Sequence, residues 1–91
     1  MEKENRILAV LTIDIKNLPD NFQEIVKHEQ QLIAEWKEAG FLDHFFLRHT
    51  KDGAVFIFKD ISHEKSIELM ESLPLMQFKI GIEYFSLMQQ F

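Results

Sequence analysis

The sequence predicts a small α+β domain of order βαββαβ, a four-stranded antiparallel sheet with two helices on one face. Three observations carry this. Apolar, β-branched and aromatic residues gather in four short runs. Two stretches between those runs place apolar residues at helical spacing. Turn and capping residues fall at the boundaries, at Pro19, Gly40, Gly53, Ser62 and Pro74.

Residues 7–15 (ILAVLTIDI) form the first strand. Asn17-Leu18-Pro19-Asp20 breaks it. Asp20 is the expected N-cap of a long helix, with Gln23 three residues on as in a capping box. Gly40 is that helix's natural stop, after residue 39. Residues 44–50 make the second strand and residues 54–59 (AVFIFK) the third. Between them Lys51-Asp52-Gly53 reads as a tight turn, since Asp-Gly tolerates positive φ. Ser62 caps a second helix, which runs to about residue 73 and stops at Pro74. Residues 79–87 (KIGIEYFSL) are the fourth strand. With right-handed strand–helix–strand crossovers, this order folds most simply as a ferredoxin-like domain.

Ninety-one residues make a single domain over 1–91. A chain this short buries only about two-thirds of its unfolded surface, yet 46% of it is apolar and nine residues are Phe. Residues 7–11 and 54–58 are apolar on both faces of their strands, whereas the helices cover one face only. The second face calls for a cover, so the sequence predicts a homodimer or larger homo-oligomer packed sheet on sheet. The absence of cysteine excludes a disulfide scaffold and a thiolate metal site. The start, residues 1–6, is charged, and no apolar run approaches the ~20 residues of a membrane span. The expectation is therefore a cytoplasmic chain with no membrane partner. A net charge of −5 with scattered basic residues disfavours nucleic acid. Gly53 to Phe58 echoes the signature strand of RNA-recognition modules, but Asp52 stands where a basic residue belongs and Ala54 where an aromatic belongs. The three glycines are isolated and make no phosphate loop, and four histidines without a cluster predict no metal. No cofactor is expected.

One residue contradicts its pattern. On the first helix Phe22, Ile25, Val26, Leu32, Ile33 and Trp36 form one apolar stripe, and Glu29 sits at its centre. Burial there disfavours ionisation and raises a carboxyl pKa toward neutrality, the tuning that suits a general acid or base. The competing expectation is a structural glutamate that reaches past the stripe to water or to a buried partner such as His44 or His49. His44, at the start of the second strand, is the second catalytic candidate if it faces the cleft between helix and sheet. The candidate substrate contacts are His28 at the stripe's edge, Trp36, Phe46, and the neighbours Glu83 and Tyr84. Those neighbours point to opposite faces, so one of them enters a covered face. His49 reads as a surface residue, and His63 as a surface or cap residue.

The segment from Gly40 to Leu75 resembles the muconolactone isomerase family, whose members are dimeric α+β barrels. Four residues after the helix-ending Gly40 comes His44, where the family has a strand histidine. Val55-Phe56-Ile57-Phe58, Ser62 and the helix stop Ser72-Leu73-Pro74-Leu75 follow in step, and Asn17-Leu18-Pro19 resembles the segment after the family's first strand. The resemblance extends over roughly residues 7–86. It implies a metal-free, cofactor-free proton shift in an unsaturated lactone or small organic acid. It also implies a carboxylate base eleven positions before the helix-ending glycine, which is Glu29 here. The family flanks its histidine with two tryptophans and two arginines. Here the neighbours are Leu42, Asp43, Phe46 and Leu47, which implies a diverged substrate. Two further functions suit the same architecture: a non-catalytic small-molecule-binding or assembly module, and a cofactor-independent monooxygenase.

Overall fold

The structure is a computed structural model and describes residues 5–91. The charged segment read from residues 1–4 lies outside them. The elements are β1 (Asn5–Ile13), α1 (Phe22–Ala39), β2 (Leu42–Leu47), β3 (Gly53–Lys59), α2 (His63–Glu71), a 3-10 turn (Pro74–Phe78) and β4 (Lys79–Met88). The strands pair antiparallel in the order β2-β3-β1-β4, so the predicted ferredoxin-like βαββαβ architecture is the one found. No helix among the described residues is long and apolar enough to cross a membrane.

Strand alternation builds the core. Ile7, Ala9, Leu11 and Ile13 of β1 are buried, and Ala54, Phe56 and Phe58 of β3 lie beside them on the same face. Ile33 and Trp36 of α1, Met70 of α2 and Leu73 close over that face. The Trp36 ring packs 5.7 Å from Phe58 and 6.2 Å from Phe56, centroid to centroid. Phe56 and Phe58 are 0% exposed, and burying a side chain of that size contributes roughly 1.5–3 kcal/mol.

Three local expectations change. The Asp20–Gln23 capping box does not form; Asn21 holds the cap position, without a side-chain bond. A backbone turn leads into α1 instead, with Phe22 N–H donating to the Pro19 carbonyl at 3.1 Å. Asp52-Gly53 is not the hairpin's turn. The loop runs from Arg48 to Asp52, closed by Arg48 N–H to the Gly53 carbonyl at 3.1 Å and Lys51 N–H to the Arg48 carbonyl at 2.9 Å. Its left-handed residue is Lys51, at φ 63°. Gly53 serves as a point of close approach, because a Cβ there would lie 2.1 Å from the Leu11 carbonyl oxygen. The second strand starts earlier than predicted, at Leu42. At the end of α1, Gly40 takes up the left-handed stop at φ 90°, as expected.

A bulge in β2 decides which side chains reach the helix side. Leu42 pairs with Phe58, but the next paired residue is His44, with Ile57. Asp43 is the extra residue, and Arg6 Nε donates to its carboxylate at 2.9 Å. One inserted residue flips every side chain after it. Phe45 and Leu47 therefore turn inward, while His44 and Phe46 join the outer face with Leu8, Val10, Val55 and Ile57. Glu83, Phe85 and Leu87 of β4 complete that face.

Candidate functional site

The α1 stripe does bury its glutamate. Glu29 is 5% exposed, level with Ile33 and Trp36 on the same face. Its Oε1 accepts a hydrogen bond from Leu75 N–H at 2.9 Å. That donor exists because Pro74 stops the chain and opens a 3-10 turn, whose first N–H groups have no partner within the turn. The partner anticipated among the histidines is thus a backbone amide. Burial pushes the Glu29 carboxyl up and the Leu75 bond offsets part of that, leaving it raised to about 7.

Glu29 lines a cavity of about 160 Å³ between α1, the sheet and the β2–β3 loop. Its walls are mainly apolar: Leu11, Ile13, Phe22, Val26, Phe45 and Leu75. Every buried side-chain nitrogen and oxygen among the described residues has a hydrogen-bond partner. Oε2 takes no such bond, so it is the oxygen that opens to the cavity. A carboxyl held by one oxygen, bare at the other and shielded from bulk water can exchange a proton near neutral pH with a molecule in the cavity.

The remaining sequence candidates do not converge on Glu29. His44 lies on the opposite face of the sheet, exposed, stacked on Phe46 at 5.9 Å and 3.7 Å from the Asp43 carboxylate. The cleft-facing position expected for His44 and Phe46 is overturned by the bulge. Trp36 is on the Glu29 face but fills the core rather than the cavity wall. His28 is exposed. Of the β4 neighbours, Tyr84 is the one that enters the covered face, opposite Ala9, with its ring 5.7 Å from His63 under α2. Burial and the nearby Glu71 charge raise its hydroxyl pKa. Glu83 points to the outer face, and neither residue lines the cavity. Sequence reasoning missed Phe45, Leu47, Lys51 and Leu75. Leu75 had a signal, the Pro74 stop that frees its N–H, whereas Phe45 and Leu47 depend on a bulge that strand periodicity does not reveal. Among the described residues, no group of three or more histidine, aspartate or glutamate side chains could hold a metal ion.

No known family's sequence profile matches the chain. No curated protein matches it either. Among solved structures, the crystal structure of PA3566 from Pseudomonas aeruginosa is similar over 96% of this chain and 94% of that one, with a TM-score of 0.56 and 9% identity. The two share a fold. At that identity the likeness extends to the ferredoxin-like α+β architecture and no further.

Proposed function

We propose that this protein is a cofactor-free isomerase of the muconolactone isomerase type, which moves a proton within a small unsaturated organic acid or lactone. The observation that carries this is Glu29, buried, with one oxygen open to an apolar cavity and a pKa raised to about 7. The Glu29 carboxylate takes a proton from the carbon alpha to a carbonyl. The C–H electron pair passes into the conjugated enolate, and the new carboxylic acid returns the proton at the far end of that system. The double bond moves and nothing is oxidised or reduced. His44 has no part in this cavity, so Glu29 both accepts and returns the proton.

A second reading has one observation in its favour. The Leu75 N–H bond suits a structural glutamate that caps the 3-10 turn, in a small-molecule-binding module without catalysis. The two readings separate on Glu29→Gln, which keeps an acceptor for Leu75. Unsaturated lactones and β,γ-unsaturated acids are incubated with the protein in D2O, and NMR follows deuterium entry and double-bond migration. Exchange by the native protein that Glu29→Gln lowers at least about a hundredfold, the lower range for general base catalysis, supports the enzyme. Equal exchange by both proteins, or exchange by neither, refutes it.

The same reading includes a homodimer. The outer sheet face has an apolar centre of Leu8, Val10, Val55 and Ile57, extended by Phe46, Phe85 and Leu87 at 53%, 45% and 41% exposure. Arg6, paired with Asp43, and Lys59 stand at one end of the strands, and Glu83 stands beside Val10 on the edge strand β4. A broad apolar face of this kind suits self-association through a two-fold axis.

A further inference from the structure

We propose that Lys51 holds the carboxylate of an anionic substrate at the mouth of the Glu29 cavity. This rests on the reading of that cavity as the reaction site and specifies the substrate class: a compact mono-carboxylate whose acidic C–H lies at the opposite end from its charge.

Three observations place Lys51 there. First, it lines the cavity from the β2–β3 loop, while Glu29 lines it from α1. Among the described residues that line it, these two are the only ionisable side chains, and the other polar side chain is Gln30. An anion entering this cavity therefore meets one cation. Second, that cation is not spent elsewhere. The loop's carboxylate, Asp52, accepts from Thr50 Oγ1 and pairs with Arg48 Nη1 at 3.6 Å. No carboxylate among the described residues pairs with Lys51. Third, the backbone of Lys51 sits at φ 63°, a left-handed conformation that is disfavoured for a lysine. The other left-handed non-glycine among the described residues is Asp60, a residue type that tolerates the region. Glycine would suit position 51 better, and the loop's backbone holds the lysine there, with Lys51 N–H donating to the Arg48 carbonyl. The loop is also tied down, by Ile13 N–H to the Asp52 carbonyl at 2.7 Å, which fixes the base from which the lysine reaches.

The cavity limits the ligand. About 160 Å³ holds roughly five water volumes, room for a five- or six-membered ring or an equally short chain with its carboxylate at the rim. The charge belongs at Lys51, on the exposed side, and the apolar reacting part belongs against Phe45, Val26 and Leu11, beneath Glu29 Oε2.

The test is binding of 2-furoate against 2-furamide, two probes of one shape that differ in charge. NMR follows the backbone amides of Ala54 and Leu75 at about pH 6, below the Glu29 midpoint, so that the carboxyl does not repel the anion. The native protein is expected to prefer furoate about tenfold, the ratio that one charge-assisted hydrogen bond supports. Lys51→Gly relieves the left-handed strain and so keeps the fold. It should abolish the preference while leaving furamide binding unchanged, and Lys51→Arg should retain the preference. An unchanged preference in Lys51→Gly overturns the assignment. So does equal binding of the two probes by the native protein, or no response at either amide at millimolar furoate. Glu29→Gln separates this from the catalytic reading: it should still prefer furoate, whether or not it exchanges protons.

Discussion

Replacing Glu29 with Gln should make the protein more stable at pH 8 and leave its stability almost unchanged at pH 4. The unfolded chain titrates this group near 4.5 and the folded chain near 7. Between those values the folded state holds a proton that the unfolded state has released, so stability falls as pH rises through the window. The stability is fully present below 4.5 and lost as pH passes the folded value. At 1.36 kcal/mol per pH unit of that window, the loss comes to roughly 3 kcal/mol. Gln carries no charge to desolvate, and its carbonyl can accept from Leu75 N–H as Glu29 Oε1 does. The assay is urea unfolding from pH 4 to 8 at fixed protein concentration, read by the fluorescence of Trp36, the single tryptophan, buried against Phe56 and Phe58. The two proteins are otherwise identical, so all other contributions cancel in the difference. The native curve should fall away from the Glu29→Gln curve by roughly 3 kcal/mol across the window. Parallel curves, or a variant weaker by a constant amount at every pH, would refute the reasoning.

Other expectations follow from the packing. Gly53→Ala pushes a methyl group against the Leu11 carbonyl and should cost about 1–3 kcal/mol in urea unfolding, as overpacking does; a neutral result would mean that β1 and β3 are further apart. Val10→Asp puts a charge at the centre of the outer face. Sedimentation should then change from dimer to monomer while the far-ultraviolet spectrum is kept, and a native protein that sediments as a monomer would remove the dimer.

The fold was legible because local signals agree with one another. β1 alternates between two apolar faces, α1 carries a single stripe, and Gly40, Ser62 and Pro74 end or start elements where their backbone chemistry requires. Glu29 was legible for the same reason in reverse, since a carboxylate inside a clean stripe has no bland position on the helix wheel. Its surroundings were not. The bulge at Asp43 is held by Arg6, thirty-seven residues away in sequence, and no local pattern announces such a contact. That one inserted residue sends His44 and Phe46 out and brings Phe45 and Leu47 in. Lys51 escaped notice because Asp-Gly is the stronger turn signal, and the strain fell one residue before it.

The most direct measurement is the titration of Glu29 itself. In protein labelled with 13C at the glutamate side-chain carboxyl, the resonance that disappears in Glu29→Gln is followed against pH. A midpoint near 7 is expected, with the Leu75 amide shifting over the same range because it donates to that carboxyl. A midpoint near 4.5, the value for a carboxyl in open water, would contradict the placement of Glu29 as a shielded base.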